Sequence, residues 1–375
     1  MVILGATGSI GKNALELCER FGVRVLGLSC NQNVACLNEQ IARFKPLFVC
    51  VGSRELASEV KGCERVFAGQ EGLQELLKAS FEAGARQVVN ALVGFSGFLP
   101  SVCTLKNGAQ LCLANKESLV VGGKFLSKLC KSGGEISPID SEHFGLKFLL
   151  HGREKEVEKL VITASGGAFY GRSREELNAV TPSLALKHPT WQMGAKITID
   201  SATLANKLFE CIEAFWLFGC KNIAAVVERT SLIHALIQFK DGSTTAHFCE
   251  ADMKLAIAHA TGLYGEQNGF EKILPNLDLL SLKPLEFRPI DTQAFAIFSL
   301  KDALLQKPDL GVVINAANEV GVGSFLRGEC GFLQIEGVVF AALDAFGEVS
   351  FGEVEEVVEC DLKVREFAKN FLKGR

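Results

Sequence analysis

Two acidic residues in the stretch GGEISPIDSEHFGLKFLL are the first candidates for chemistry. Asp140 and Glu142 flank Ser141 where an apolar, strand-like run meets a hydrophobic, helix-like one. Carboxylates are costly to bury unless they are paired or bind a cation. On an extended chain, side chains two residues apart point to the same face. The spacing therefore predicts a shared partner for the two carboxylates, with surface ion pairs as the ordinary alternative.

A second group of polar residues lies in the stretch SATLANKLFE. Asn206, Lys207 and Glu210 stand at helical spacings of three and four, and therefore on one helix face. Glu210 can complete a set of three carboxylates with Asp140 and Glu142. A ligand set made of oxygens alone suits a hard cation, Mg²⁺ or Mn²⁺, better than zinc. For Glu210 taken alone, an ordinary ion pair is the alternative.

Two segments offer donors for a small anion. Ser165 is followed by two glycines after the apolar run KLVITA, a pattern typical of a backbone nest for an anion. Ser201, Asn206 and Lys207 supply hydroxyl, amide and ammonium donors that could surround a phosphate monoester. The alternative is that Ser201 caps a helix and Lys207 is solvated.

The segment KHPTWQMG has the composition of a loop that covers a ligand. It carries His188, Trp191 and Met193 and is bounded by a proline and a glycine. An exposed tryptophan on a loop is costly unless it covers something. We therefore expect a lid over a substrate. The alternative is a tryptophan packed back into the core.

The stretch GATGSIG, residues 5–11, is a candidate nucleotide site. It follows a short apolar run and opens a helix, which is the context that a phosphate-binding glycine loop requires. Glycines let the backbone approach a pyrophosphate, and the helix N-terminus presents free N–H groups to it. We therefore expect a bound nucleotide here, although such glycines also serve bare packing of a strand on a helix.

The end of the second predicted strand bears on which nucleotide binds. It reads LSCNQNV, with Asn31, Gln32 and Asn33 and without the carboxylate that receives a ribose hydroxyl in NAD-binding folds. Nothing there would repel a 2′-phosphate, and no lysine or arginine is present to bind it. The pattern favours NADPH over NADH.

Composition and charge narrow the class of protein. The 375 residues are 48% hydrophobic and 22% charged, with a formal net charge of −4. This is a globular composition without the broad basic field that nucleic-acid binding requires.

The thirteen cysteines contain no C-x-x-C pair, so we expect reduced, mostly buried thiols in a cytoplasmic protein rather than a zinc site. The stretch MVILGATGSIG reads as a strand rather than a signal peptide, and no apolar run reaches the roughly 18 residues of a membrane span.

The order of apolar runs predicts an α/β fold in three domains. Residues 1–139 alternate Val/Ile/Leu-rich runs with amphipathic stretches, which predicts a doubly wound, Rossmann-like parallel sheet that binds NADPH. Residues 140–264 are predicted to be an α/β catalytic domain with a lid loop at about 186–196, and KITIDSATLANKLFECIEAFWLFG within it reads as a strand running into a helix. Residues 265–289 carry three of the nine prolines and read as a linker. Residues 290–375 are predicted to be a C-terminal helical domain.

Eight stretches of this chain occur together, in this order, in one known family. They are GATGSIG, ALVGFSGFLP, LANKESLV, PIDSEH, TASGGAF, HPTWQMG, KITIDSATLANKLFE and INAANEV. The chain resembles the 1-deoxy-D-xylulose 5-phosphate reductoisomerase family nearly end to end, and D-S-E followed by N-K-x-x-E is the specific element. The resemblance implies rearrangement and reduction of 1-deoxy-D-xylulose 5-phosphate to 2-C-methyl-D-erythritol 4-phosphate, dependent on NADPH and a divalent metal, on the route to isoprenoid precursors. It also implies a homodimer.

The resemblance implies roles for individual residues as well. Those that it places on the divalent cation are Asp140, Glu142 and Glu210. Those that it places on the phosphosugar substrate, or in the lid over it, are Lys116, Ser141, Glu142, Ser165, His188, Trp191, Met193, Ser201, Asn206, Lys207 and Glu210. Those that it places on the cofactor are Thr7, Gly8, Ser9, Ile10, Asn115, Glu117 and Gly194. To these the strand-end pattern adds Asn31, Gln32 and Asn33.

Two departures from the family pattern and two rival functions accompany this interpretation. Gln32 stands where members often carry a lysine or arginine, and CEADMKLAIAHA replaces a Pro-Asp-Met pattern, although Met253 remains. One rival is an NADP-dependent dehydrogenase of a small aldehyde or hydroxy acid, with the acidic residues merely structural. The other is a redox sensor that binds NADPH without chemistry and signals through its C-terminal helices. Neither requires three aligned carboxylates beside phosphate donors.

Overall fold

The structure, a computed structural model, describes residues 1–266 and 268–374 of the chain. The chain divides into two compact units. The first unit comprises residues 1–118, 124–144 and 252–275. The second comprises residues 119–123, 145–251 and the described residues from 276 onward. The boundaries of the three domains expected from the sequence stay a prediction.

The elements are numbered in chain order. The strands are β1 (Val2–Leu4), β2 (Gly27–Ser29), β3 (Phe48–Val51), β4 (Val66–Ala68), β5 (Gln87–Asn90), β6 (Gln110–Leu113), β7 (Glu135–Pro138), β8 (Val157–Ala164), β9 (Ile223–Val227), β10 (Ile233–Phe239) and β11 (Thr244–Phe248). The helices are α1 (Ser9–Arg20), α2 (Val34–Phe44), α3 (Arg54–Ala57), α4 (Gly69–Glu82), α5 (Phe98–Lys106), α6 (Glu117–Lys131), α7 (Ser141–Leu150), α8 (Arg174–Leu177), α9 (Pro182–Ala185), α10 (Ala195–Thr203), α11 (Ala205–Phe218), α12 (Met253–Ala260), α13 (Lys301–Gln306), α14 (Leu310–Leu326), α15 (Phe332–Phe346) and α16 (Val354–Lys373). Short 3₁₀ helices lie at Gly94–Gly97, Glu154–Glu156 and Ala296–Leu300.

Seven parallel strands form the centre of the first unit, in the order β4-β3-β2-β1-β5-β6-β7. The inner strands are almost continuously apolar and buried, as expected of a parallel sheet covered on both faces. The strand order changes direction beside β1, which is the point at which doubly wound sheets bind ligands. The predicted Rossmann-like sheet is confirmed.

Helix α1 packs beside this sheet through its apolar face. Leu15 and Cys18 are buried in a core cluster that also contains Ile257 of α12. Helices α1 and α12 contact each other directly. The first unit therefore includes a helix from the sequence that follows the second sheet.

A mixed four-stranded sheet, ordered β11-β10-β8-β9, forms part of the second unit. Strand β8 pairs in parallel with β9 and antiparallel with β10, which pairs antiparallel with β11. Helix α11 packs against β8 and β9, and α14, α15 and α16 pack on one another. Helix α14 is apolar and buried nearly all round, as expected of a central helix. The predicted helical C-terminal region is confirmed.

The strand predicted at the start of KITIDSATLANKLFECIEAFWLFG is wrong. This stretch forms two helices, α10 and α11, which meet at Leu204 in the left-handed conformation with φ of +66°. The β-branched run Ile197–Ile199 gave the local strand signal. Helix α10 packs against α14 and α11 instead, so tertiary packing overrides the weak local preference.

Two predictions from composition can be compared with the structure. All thirteen cysteines are free thiols. Six are buried and seven are partly buried, so fewer are fully buried than the sequence predicted. Among the described residues, none of the helices combines the length and the apolar character of a membrane span.

Candidate active site

The glycine loop of the first unit forms a tight turn between β1 and α1. Gly5 has a φ of +78°, and a Cβ atom there would lie 2.5 Å from the carbonyl oxygen of Ala91. A Cβ at Gly11 would lie 2.4 Å from the Gly5 oxygen. Both positions therefore require glycine. Gly8 and Ser9 are exposed where α1 begins, and no side chain of the described residues caps this helix start, so its N–H groups are available to an anion.

The three residues that follow β2 have different surroundings. Asn31, Gln32 and Asn33 are all exposed. The Asn33 side-chain oxygen accepts a hydrogen bond from the Cys36 N–H at 3.1 Å and so caps α2. The Asn31 carbonyl accepts from the Gly52 N–H at 2.9 Å, which joins the loops that follow β2 and β3. Of these three side chains, that of Asn33 is the one that forms a hydrogen bond in the described structure.

Asn115, which was predicted to contact the cofactor, is buried and forms its hydrogen bonds within the protein. Its amide nitrogen donates to the carbonyl oxygens of Leu92 and Gly94, each at 2.9 Å, and to Glu117 Oε2 at 3.0 Å. Its oxygen accepts from the N–H of Ser118 at 3.0 Å. The side chain therefore holds the loop after β5 against the start of α6. It positions this loop and does not point toward a ligand.

Asp140 lies just after β7 and forms the N-terminal cap of α7, whose first turn contains Glu142. Oδ1 of Asp140 accepts from the N–H groups of Glu142 at 3.1 Å and His143 at 3.3 Å. The prediction that both carboxylates lie on an extended chain is therefore wrong. The hydrophobic residues that follow form a helix, and a carboxylate in the cap position satisfies its free N–H groups.

Asp140 also has two side-chain partners. The ammonium group of Lys116 lies 3.1 Å from Oδ2, and Nδ1 of His143 lies 3.0 Å from Oδ1. Lys116 and Asp140 are largely buried, with side-chain exposures of 6% and 13%. The Ser141 hydroxyl donates to Glu142 Oε2 at 2.6 Å. The first unit thus brings together four of the predicted site residues, Lys116, Asp140, Ser141 and Glu142, and His143 supports the carboxylate of Asp140.

Glu210 is the buried carboxylate of the second unit, at 1% exposure. On α11, Asn206 Nδ2 donates to Glu210 Oε1 at 2.5 Å, and the Lys207 ammonium pairs with Glu210 Oε2. The predicted helical spacing of these three residues is confirmed. The alternative of a solvated Lys207 is wrong, because this lysine is also buried.

Ser165, His188 and Ser201 form a polar cluster in the second unit. Nε2 of His188 lies 3.0 Å from the Ser165 hydroxyl and 3.1 Å from the Ser201 hydroxyl. Ser165 precedes Gly166 and Gly167, which have φ of +80° and +65°. A Cβ at Gly167 would lie 2.5 Å from the Ser201 carbonyl oxygen. Glycine at position 167 therefore lets the two serine-bearing segments approach each other.

His188 is held in one neutral form. Its Nδ1 accepts hydrogen bonds from the N–H groups of Trp191 at 2.9 Å and Thr190 at 3.3 Å, so the proton of the neutral ring resides on Nε2. Burial, together with the smaller effect of the positive charges of Arg229 and Lys207, lowers the pKa of His188 to about 4. Near neutral pH, the ring is therefore an uncharged donor directed at the two serines.

The predicted lid residues lie in an irregular segment between α9 and α10. Trp191 is half-buried, and its ring centroid lies 6.0 Å from that of His234. The Thr190 hydroxyl lies 2.9 Å from the Ser231 hydroxyl. Gly194 is exposed and directly precedes α10. Trp191 is thus neither fully exposed nor packed into the core, and the lid function stays a prediction.

Comparisons with known proteins converge on one family. The model described as 1-deoxy-D-xylulose 5-phosphate reductoisomerase matches residues 1–123, and two models of the C-terminal domains of this enzyme match residues 136–218 and 248–367. A 1-deoxy-D-xylulose 5-phosphate reductoisomerase of Campylobacter curvus (strain 525.92) is 55% identical over 377 residues, covering 100% of both chains. The Campylobacter hominis enzyme of the same name is 51% identical over 373 residues, again covering 100% of both.

Solved structures give the same result. A crystal structure of DOX-P reductoisomerase in complex with NADPH, fosmidomycin and magnesium matches with a TM-score of 0.92 and 32% identity, covering 99% of this chain and 98% of that one. The Zymomonas mobilis 1-deoxy-D-xylulose 5-phosphate reductoisomerase in complex with NADPH matches with a TM-score of 0.88 and 31% identity, covering 100% of this chain and 99% of that one.

Proposed function

The chain belongs to the 1-deoxy-D-xylulose 5-phosphate reductoisomerase family, and we propose the residues through which it works. It is an NADP-dependent oxidoreductase that converts 1-deoxy-D-xylulose 5-phosphate to 2-C-methyl-D-erythritol 4-phosphate with NADPH and a divalent cation. Its substrate is a small phosphosugar. Among the geometric observations, the cluster of a neutral histidine with two serine hydroxyls best supports the site, since it suits the phosphate of that substrate.

We infer that Asp140, Glu142 and Glu210 are the ligands of the divalent cation. The donor set fits Mg²⁺ or Mn²⁺, because it contains only carboxylate oxygens. In the first unit, Lys116 and His143 orient the carboxylate of Asp140. In the second unit, Lys207 and Asn206 orient that of Glu210. A bound cation would act as a Lewis acid and as a template for neighbouring oxygens of the substrate.

The substrate phosphate is assigned to the second unit. The proposed donors are Ser165, His188, Ser201, Asn206 and Lys207. Neutral His188 can donate through Nε2–H to an anion, and Lys207 supplies the positive charge. Binding energy from the phosphate, which lies far from the reacting carbons, orients the chain of the substrate. Trp191 and Met193 are proposed to cover the site and to keep water away from the reaction.

The remaining contacts to substrate and cofactor are assigned to the first unit and to Gly194. Lys116 and Ser141 are proposed to contact the sugar. The cofactor phosphates are proposed to lie against Thr7, Gly8, Ser9 and Ile10, where the open helix start of α1 attracts anions. The other residues proposed to contact NADPH are Asn31, Gln32, Asn33, Asn115, Glu117 and Gly194. The side chain and the N–H of Asn115 are bonded within the protein, so the contact proposed for this residue is assigned to its carbonyl group.

We further propose that the enzyme is a cytoplasmic homodimer with a nucleotide-binding domain at 1–139, a catalytic domain at 140–264 and a helical domain at 290–375. The dimer is what the resemblance to the family implies, and the free thiols support a reducing compartment. Light scattering coupled to gel filtration tests the dimer: a mass twice that of the 40.5 kDa chain is expected.

The decay of NADPH absorbance with 1-deoxy-D-xylulose 5-phosphate tests the function and the ligand set together. Oxidation should require Mg²⁺ or Mn²⁺ and stop with excess chelator. Asp140→Asn and Glu210→Gln should abolish it in folded protein. Oxidation that survives the chelator would instead indicate a plain dehydrogenase. NADPH binding without oxidation under any metal would indicate the sensor.

A further inference from the structure

Arg229 contacts the glycine turn of the phosphate cluster from the neighbouring strand. Strand β9 pairs with β8 so that Val227 lies opposite Ala164, and the chains continue side by side beyond both strands. Nη1 of Arg229 donates to the carbonyl oxygen of Ser165 at 3.0 Å and to that of Gly167 at 3.4 Å. Its guanidinium carbon also lies 4.7 Å from the centroid of the Tyr170 ring, within the range of a cation–π contact.

These two hydrogen bonds set the direction of the turn's amide groups. In a trans peptide the C=O and the following N–H point in opposite directions. Because the carbonyls of Ser165 and Gly167 point toward Arg229, the N–H groups of Gly166 and Ala168 point away from it. In the described parts of the chain, neither N–H donates a hydrogen bond to a protein acceptor. The N–H between them, that of Gly167, donates to the Ser165 hydroxyl oxygen at 3.2 Å. Gly166 and Ala168 therefore supply the two outward N–H groups of this turn, an arrangement that suits an anion.

The backbone that carries Arg229 is itself fixed. The buried carboxylate of Glu228, at 1% exposure, accepts from the N–H and the hydroxyl of Thr230 at 2.8 and 2.7 Å. It also lies 3.3 Å from the Leu232 N–H, which donates to it. These bonds hold Ser231 at a φ of +56°, a conformation that residues other than glycine rarely adopt. Arg229 therefore extends from a rigid turn and not from a loose loop.

We propose that Arg229 is a positioning residue for the substrate phosphate: it holds the Ser165–Gly167 turn so that the turn presents its amides and the Ser165 hydroxyl to the anion. Its positive charge adds to the attraction of a phosphate dianion. An exposed arginine that made only surface ion pairs would contribute little to stability. The inference rests on the proposed phosphate site in the second unit.

The test compares Arg229→Ala with Arg172→Ala in the otherwise unchanged enzyme. Arg172 is a matched control because it is also exposed and also lies over an aromatic ring, that of Phe169. Among the described contacts, its side chain donates to no carbonyl of the turn. Steady-state kinetics are measured with 1-deoxy-D-xylulose 5-phosphate and with NADPH, and inorganic phosphate is used as a competitive inhibitor.

Arg229→Ala should raise the KM for the phosphosugar and the inhibition constant of inorganic phosphate by about tenfold, the usual effect of losing hydrogen bonds from a charged donor. The KM for NADPH should not change, and Arg172→Ala should match wild type in all three constants. Arg229→Lys should recover only part of the loss, since an ammonium group cannot replace a planar guanidinium on two carbonyls and a ring. Free guanidinium chloride, well below denaturing concentrations, should partly restore Arg229→Ala.

Two results would overturn the proposal. One is an Arg229→Ala enzyme with wild-type constants for the phosphosugar and for inorganic phosphate. The other is equal loss with Arg172→Ala, or equal loss in the KM for NADPH, which would indicate general damage. A wild-type enzyme that fails to turn over the phosphosugar would count against the proposed function instead, so the two failures are distinguishable.

Discussion

Replacing Gly167 by alanine should displace the turn that presents Ser165, because the added methyl group has no room. A Cβ atom at position 167 would lie 2.5 Å from the carbonyl oxygen of Ser201 and 2.9 Å from Cα of Ala202. Both contacts are with backbone atoms, so no side-chain rotation can relieve them. The residue also has a φ of +65°, which L-residues other than glycine rarely adopt.

Gly167→Ala should lower the free energy of unfolding for two reasons. The positive φ costs about 1–2 kcal/mol, and overlap in a packed region costs typically about 1–3 kcal/mol. Gly171 provides a matched control in the same segment. Its φ is +80°, and among the described residues no heavy atom lies within 4 Å of the position of its Cβ. Gly171→Ala therefore carries only the first cost, and the difference between the two variants, about 1–3 kcal/mol, isolates the overlap.

Urea unfolding and steady-state kinetics measure the two consequences. Gly167→Ala should have a lower unfolding midpoint than Gly171→Ala. It should also raise the KM for 1-deoxy-D-xylulose 5-phosphate by about tenfold or more, since a misplacement of about 1 Å in a positioning group can cost up to about 100-fold. The KM for NADPH should not change. Equal midpoints and equal KM values for the two variants would refute this reasoning.

Two further predictions concern protonation and the cofactor. The folded-state pKa of His188 lies below its unfolded value, near 4 rather than 6.5. The buried neutral ring therefore does not lower the free energy of unfolding above pH 6.5. Below pH 6.5 the unfolded state gains protons first, so the free energy of unfolding should fall progressively as the pH approaches 4. The unfolding midpoint of wild type should therefore decrease more over this range than that of His188→Gln, and parallel pH profiles would contradict the assignment. Gln32→Arg should increase the ratio of kcat/KM for NADPH over NADH, because it places a cation where the sequence offers none for a 2′-phosphate. This expectation is checked by measuring the ratio of the two kcat/KM values for wild type, for Gln32→Arg and for the control Gln32→Ala. An unchanged ratio in Gln32→Arg would indicate that the 2′-phosphate binds elsewhere.

The sequence predicted those features of the fold that depend on short-range pattern. Alternating apolar runs gave the parallel sheet, and the spacing of Asn206, Lys207 and Glu210 placed them on one helix face. The same reasoning failed at Asp140 and Glu142, where a two-residue spacing suggested an extended chain. Strand β7 ends at Pro138 and helix α7 begins at Ser141, between these two residues, and the ends of elements are the least certain part of a local pattern.

Features that depend on pairing distant segments could not be read from the sequence. Arg229 lies 64 positions from Ser165 and reaches it only because β9 pairs with β8. The stretch VVERTSLI that contains it has no motif of its own. His188 was expected in a lid, yet its position between Ser165 and Ser201 depends on the turn at Gly167 and on the start of α10, neither of which a local pattern specifies.

The INAANEV stretch shows how a motif without reactive residues can still serve the site. On α14, Asn318 donates from Nδ2 to Oδ1 of buried Asp200 at 2.8 Å, and the Lys196 ammonium lies 2.8 Å from the other oxygen of that carboxylate. Both charged residues belong to α10, so the central helix of the C-terminal region holds α10 by a buried polar contact. Such a contact favours one register of the two packed helices, because a shift would separate the buried carboxylate of Asp200 from the Asn318 amide. Ser201 directly follows Asp200, and a fixed α10 therefore fixes the hydroxyl that faces His188. In physical terms, part of the precision of the phosphate cluster is thus supplied by a helix that begins more than 100 residues further along the chain.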